Sequence, residues 1–340
     1  MGTTDRKGLA MEKLTHVVLK ASEEGLVTAA NFLLSGDGAI DTEDWTADSQ
    51  LSAIESDGFL TWLIDPKERQ ELFPDIPADR ATHTAINAII HQEYPHSLVV
   101  GQKATDAEWC VAETAPDGSL IFAVDAIDGS IPYKALTFGY STNILVFRRE
   151  GASDRALMAA VSSPNGLCLL WESTSPNPAG ASHVGLWHDH SLGHADWGVL
   201  LADPLTPATE GTVAVLAADR RHRDQAAALL DDESLTVFTT GGAPASLGMA
   251  LGSLESLVAT RRQTLWDAAY LPALTSLGIT VVSLEDGSTL SSADVARMFS
   301  QIAREAENRE ARPVPPFVAS RTHSRAIQLA RMLSPHLTRL

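Results

Sequence analysis

Apolar residues recur at three- and four-residue steps from about Gly8 to Ser35. Leu14, Val17, Val18 and Ala21 share one face, and Leu26 and Ala30 continue it. This spacing predicts an amphipathic helix. Residues 36–60 are acidic and polar and read as a surface excursion. A second helical stripe follows Asp79, with Ala85, Ile86, Ile89 and Ile90 on one face. Asp79 suits the start of that helix, where a carboxylate accepts free backbone N–H groups. Tyr94-Pro95 ends it, because the residue before a proline is steered away from helical backbone. The period then changes. Leu120–Val124, Ser141–Arg148, Ala156–Ser163 and Leu167–Trp171 are apolar runs of strand length, and Asn165-Gly166 separates the last two. An Asn-Gly pair between two such runs signals a hairpin.

Residues 173–212 are rich in Pro, Gly, His and Ser and read as a connection. Beyond it the pattern alternates: strand at Val213–Ala217, helix at Arg223–Leu230, strand at Val237–Thr239, helix at Ser246–Leu251, strand at Leu254–Thr260, helix at Ala268–Leu277, strand at Ile279–Leu284. From Asp294 onward two polar helices are expected, split by Pro313-Val314-Pro315-Pro316. No internal repeat is visible. The alternation argues for a layered α/β or α+β fold. The expected division is an N-terminal half, 1–175, a connection, 176–212, and a C-terminal half, 213–340.

Composition narrows the function. The chain of 340 residues is 44% hydrophobic and carries a formal net charge of −18. A surface that acidic repels nucleic-acid backbones and anionic membranes, so neither is expected as a partner. It also repels anionic substrates, unless bound metal or clustered Arg and Lys reverse the field locally. Cys110 and Cys168 are the two cysteines, too few for a disulfide framework, which points to a reducing cytoplasm. No basic-then-apolar leader opens the chain, and no apolar run approaches the roughly 18 residues of a membrane span. A soluble cytoplasmic protein is the expectation.

The sharpest chemistry lies in Val124-Asp125-Ala126-Ile127-Asp128-Gly129-Ser130, directly after an apolar strand. Two carboxylates so spaced converge on one point if the chain turns there, and the Ile127 carbonyl can point the same way. Hard oxygen donors of this kind suit Mg²⁺. Gly129 allows close backbone approach to a ligand, and the Ser130 hydroxyl can hold a water. The competing reading is an acidic turn that ends a strand. A second motif, Trp266-Asp267-Ala268-Ala269, follows a strand and precedes an apolar helix, where an Asp also suits helix capping.

Together, in this order, the two motifs resemble the signatures of the inositol monophosphatase and fructose bisphosphatase superfamily, Asp-Pro-Ile-Asp-Gly-Thr and Trp-Asp-x-Ala. Thr142–Val146 resembles the strand after the first signature, Ser163-Pro164 the Asn-Pro before the central hairpin, and Gly241–Ala245 the Gly-Ser-Ala-Ala segment that touches substrate. The resemblance spans roughly residues 10–290. It implies a layered α/β/α/β/α sandwich, Mg²⁺ as cofactor, a small phosphorylated sugar, polyol or nucleotide as substrate, and a homodimer. It also implies an activated water that attacks phosphorus in line, without a phosphoenzyme. By position, Asp125, Asp128, Asp267 and the Ile127 carbonyl are implied metal ligands. Asp79 matches the Asp that orients the attacking water, and Ser130 stands in for the usual Thr. Gly129, Ser130, Gly242 and Ala243 are placed at the substrate.

Where the superfamily has Gly-Glu-Glu, this chain has Gly101-Gln102-Lys103. Gln102 cannot neutralise a cation, and Lys103 either repels one or faces phosphate as a point charge. Three outcomes are open: fewer metals and slow hydrolysis, replacement by Asp106, Glu108 or Glu113, or a non-catalytic member that binds a phosphorylated ligand. Arg261 and Arg262 follow Thr260, where inositol-specific members carry an acid. They suit a second anionic group, or else lie at the surface. Pro272 falls within the expected second-signature helix, with a shift or a kink of that helix as the expected result. His183, His188, His190 and His194, with Asp189, have zinc-ligand chemistry but sit in a Gly-rich stretch and read as a solvated loop. Arg321, Arg325 and Arg331 with Ile327, Leu329 and Leu333 read as a helix packed on the acidic body rather than a membrane surface.

Overall fold

A computed structural model describes residues 3–35, 77–101, 115–129, 139–151, 153–174, 177–186, 198–199, 210–216, 226–240, 243–299 and 313–334. The first stripe is helix α1 (Thr3–Ser35) and the second is α2 (Pro77–Glu93). The sheet that follows has its strands in chain order: β1 (Leu98–Gly101), β2 (Leu120–Asp128), β3 (Ser141–Glu150), β4 (Ser153–Ser162), β5 (Leu167–Thr174), β6 (Asn177–Leu186) and β7 (Gly198–Val199). β1 runs parallel to β2, and the later neighbours are antiparallel. Asn165-Gly166 makes the expected hairpin. The Ser163 amide donates to the Leu167 carbonyl at 2.8 Å, and Gly166 takes a left-handed φ of 81°.

Most of the first part of the expected connection is strand. Residues 177–186 form β6, paired along β5. His183 lies on that strand opposite Leu170, so it is part of a ladder rather than a loop; His188, Asp189, His190 and His194 lie outside the described residues. A strand needs only backbone pairing, and β5 supplied an open edge.

The second sheet has the order β11-β12-β10-β8-β9, from β8 (Thr212–Leu216), β9 (Thr236–Thr240), β10 (Ser256–Ala259), β11 (Thr280–Ser283) and β12 (Phe317–Ser320). β8, β9 and β10 are parallel. β12 runs antiparallel between β10 and β11. It was not expected: the sequence reading has only helices in that region. The described helices of this half are α3 (Ala227–Leu230), α4 (Ala245–Leu251), α5 (Leu271–Ser276), α6 (Ser292–Phe299) and α7 (His323–Leu333).

Period-two alternation assigns the layers. On β2 and β3, Phe122, Val124, Ile144 and Val146 face outward onto Leu14, Val17, Val18, Ile86 and Ile90 of α1 and α2. Ile121, Ala123, Leu145 and Phe147 face inward, packing with Leu247, Leu271, Leu274 and Phe299 of α4, α5 and α6 and with Leu257 and Phe317 of the second sheet. The outer face of that sheet, Val213, Val215, Val258 and Val318, is covered by Leu229 of α3 and by Ala326, Leu329 and Ala330 of α7. The layers are therefore α/β/α/β/α, as the resemblance implies. Each fully buried Leu, Ile or Phe contributes about 1.5–3 kcal/mol relative to exposure. The C-terminal helix packs on the body, with Arg325 paired to Glu255 at 3.3 Å; Arg321, read as part of it, precedes the helix and donates to the Met249 carbonyl at 2.6 Å. No described helix is long and apolar enough to cross a membrane.

Candidate metal centre

Alternation along β2 places Asp125 on the inward face with Ile121 and Ala123. Asp128, an odd number of residues on, belongs on the opposite face if the strand stays regular. It does not. Asp125 pairs with Asn143 but Asp128 pairs with Ser141, so one extra residue is inserted on β2. Such a bulge rotates the strand and reverses the facing of everything after it. Both carboxylates consequently turn inward. The Ile127 side chain is anchored beneath, against Ala29, Ala78 and Tyr140.

Asp267 arrives from the second sheet. It sits in a turn between β10 and α5, and its amide donates to the Thr264 hydroxyl at 3.1 Å. The turn is pinned by Gln263, whose amide donates to the Val314 carbonyl at 2.9 Å. The expected helix start at Ala268 is late: α5 begins at Leu271, with Tyr270 as its N-cap residue. Asp267 is therefore not a helix cap. Pro272 falls in the first turn of α5, where its missing N–H breaks no helical bond, so of the two expected effects the helix start is shifted and no kink arises.

Carboxylate oxygens of Asp125, Asp128 and Asp267 all lie within 4.8 Å of one another. Asp125 is 3% exposed and Asp128 7%. Burial, reinforced by the negative charge of Asp267, pushes the Asp128 carboxyl up to about 7, against hydrogen bonds that favour its ionised form. Ala243 donates its backbone N–H to Asp128 Oδ2 at 2.6 Å, and Asn143 Nδ2 donates to the same oxygen at 3.2 Å. Three converging carboxylates of which one resists ionisation form a site short of positive charge. A hard divalent cation fits such a donor set by ligand type and charge.

The other expected residues are distributed unevenly. Asp79 is buried in the first turn of α2, next to Ala78, which packs on Ile127. It adjoins the bulge without joining the three-carboxylate group. Ala243, expected at substrate, gives its amide to Asp128. Arg262 forms a two-point ion pair with Glu285, at 2.7 and 2.8 Å, which accounts for it as a surface residue. Arg261 is half-buried. Gln102, Lys103, Ser130 and Gly242 lie outside the described residues. Two residues went unremarked in the sequence. Asn143 is one. Tyr270 is the other: its side chain is fully buried, and its hydroxyl has no hydrogen-bond partner among the described residues. Burial, and then the charges of Asp128 and Asp267, push its phenol well above the usual range. It sits where Ala or Leu reads equally well in an apolar helix.

Gly129 follows Asp128 with φ of 87°. A Cβ there meets the Gly139 carbonyl oxygen at 2.9 Å and Tyr140 Cα at 3.3 Å. Gly129→Ala is expected to cost about 1–3 kcal/mol through backbone strain alone. It should lower the urea unfolding midpoint, and an unchanged midpoint would remove the steric role assigned to this glycine.

No protein-family model matches the chain, and no curated protein matches it in sequence. Solved structures do. SuhB, an extragenic suppressor protein from Bartonella henselae, superposes with a TM-score of 0.55 over 94% of this chain and 98% of its own, at 13% identity. Inositol monophosphatase II from Staphylococcus aureus gives 0.55 over 96% and 97%, at 13% identity. An inositol monophosphatase from Zymomonas mobilis gives 0.52 over 95% and 98%, at 15% identity. The order of layers and the near-complete coverage agree: this chain has the fold of the inositol monophosphatase-like superfamily.

Proposed function

We propose that the chain is a Mg²⁺-dependent phosphomonoesterase acting on a small phosphorylated sugar, polyol or nucleotide. The observation that carries this reading is the meeting of Asp125, Asp128 and Asp267, from two sheets, within 4.8 Å. A drifted surface of acids has no reason to build a strand bulge and a pinned turn around one buried point. When bound, the cation supplies positive charge to a phosphate and acidifies a water for in-line attack. The chain's own residues do the rest. Asp125, Asp128 and Asp267, with the Ile127 carbonyl, hold the cation, and the Ala243 amide fixes Asp128. Asp79, at the bulge, orients the nucleophilic water together with Ser130. Gly129 brings backbone close to the substrate. Gly242 and Lys103, which lie outside the described residues, keep the substrate-binding roles read from the sequence, Lys103 adding the positive charge that a neutral Gln102 does not help a cation supply. Arg261 is kept as a contact to a second anionic group, and Arg262 is given up to Glu285.

The test is phosphate release from a panel of sugar phosphates, inositol phosphates and nucleoside monophosphates and bisphosphates, with Mg²⁺ and with chelator. Release that needs Mg²⁺ is expected for at least one member. Cation binding without release from any of them would favour a binding protein built on the same centre, the reading to which Gln102-Lys103 points.

A further inference from the structure

We infer that Asn143 is a positioning residue that holds the two halves of the carboxylate centre in register. This rests on the metal-centre reading above. Asn143 lies on β3 directly opposite Asp125 and is 1% exposed. By alternation it shares the inward face with Leu145 and Phe147. Its Nδ2 donates twice, to Asp128 Oδ2 at 3.2 Å and to the Trp266 carbonyl at 3.2 Å. Its Oδ1 accepts from the Ser141 hydroxyl at 2.9 Å. The amide can sit only one way round, since a flipped group would set its oxygen against a carboxylate and a carbonyl.

One side chain thus touches every segment that brings a carboxylate. It is the cross-strand partner of Asp125, the donor to Asp128, and the donor to the peptide immediately before Asp267. The Trp266 contact spans 123 residues of sequence and joins the first sheet to the turn that leaves the second. Two donors, Asn143 Nδ2 and the Ala243 amide, converge on Asp128 Oδ2, leaving Oδ1 outside these bonds. A buried polar side chain among Leu and Phe costs stability unless its bonds are made, and here all are made to the centre or to the strand beside it. Groups that orient metal ligands from behind typically change metal affinity 10–100-fold when removed, which sets the scale of about tenfold or more expected here.

The experiment is calorimetric titration of Mg²⁺ and of Mn²⁺ into the full-length chain. The variants are Asn143→Leu, which keeps the volume, and Asn143→Ser, a smaller change should the first fail to fold. Ser256→Ala is the control, because it removes a buried hydrogen bond to Ser320 in the second sheet and away from the carboxylates. Both Asn143 variants should bind the cations about tenfold or more weakly, while Ser256→Ala binds as wild type does. Wild-type affinity in an Asn143 variant overturns the positioning role and leaves the metal centre standing. Equal weakening in Ser256→Ala makes the effect one of general stability and also overturns it. Absence of binding by the wild-type chain overturns the metal-centre reading itself.

Discussion

Asp128→Asn is expected to cut phosphate release by about 10²–10³-fold or more, the scale of losing one electrostatic stabiliser of a transition state. The same change should raise the melting temperature of the chelator-treated protein near pH 8. Both effects have one cause. Asn keeps the shape of Asp, and its carbonyl oxygen can still accept from the Ala243 amide and from Asn143. What disappears is a buried negative charge beside Asp267. Without a cation that charge is a liability, as the carboxyl pushed up to about 7 shows; with one it is a ligand. Activity needs the liability, so stability and function move in opposite directions. Wild-type turnover in Asp128→Asn would mean that the centre is elsewhere.

The metal-free protein should also lose stability as pH rises. The Asp128 carboxyl is raised from an ordinary 3.8 to about 7 in the folded state. The native chain therefore holds a proton that the unfolded chain has released across that window. The contribution is fully present below about pH 4, declines above it, and is gone once pH passes about 7. At one unit per 1.36 kcal/mol its size is at most about 4 kcal/mol. Other carboxylates titrate in the same range, so the informative quantity is the difference between wild type and Asp128→Asn. Denaturant unfolding at pH 5 and pH 8 with chelator should show wild type losing stability relative to the variant at the higher pH. Excess Mg²⁺ should reverse this, because the cation binds the ionised form and stabilises by mass action. Parallel stability curves for the two proteins in chelator would show that the carboxyl is not held protonated.

Much of this centre was legible because its chemistry lies in side chains at fixed spacing. Asp125, Asp128 and Asp267 could be named from two short motifs, and the apolar runs at β2, β3 and β5 announced themselves by composition. The remainder failed for separable reasons. The bulge that turns Asp128 inward is a property of pairing, visible only once β3 lies alongside. The bond from Ala243 to Asp128 is made by a backbone amide, which leaves no trace in residue identity. Asn143 is one amide in an apolar strand, and its importance depends on Trp266, far away in sequence. Arg262 reads equally as a substrate contact or as a surface residue because Glu285, its partner, lies beyond β11 in the sequence. β12 was hidden by its setting: Phe317-Val318-Ala319-Ser320 is short and follows a proline-rich segment that suggests a break.

The place of β12 has a consequence for how the molecule is made. A chain leaves the ribosome from its N-terminus. The described strands of the first sheet are all present once residue 199 has emerged, with Asp125 and Asp128 already on it. The second sheet cannot close until Phe317–Ser320 emerges, since among the described residues that strand alone pairs with both β10 and β11. From the emergence of β11 until that of β12, the segment bearing Asp267 hangs between two strands that each present an unpaired edge. Bare edges recruit strands from other chains. The vulnerable period of this protein's synthesis is therefore late, and a chaperone that shields strand edges would matter most between the emergence of β11 and that of β12.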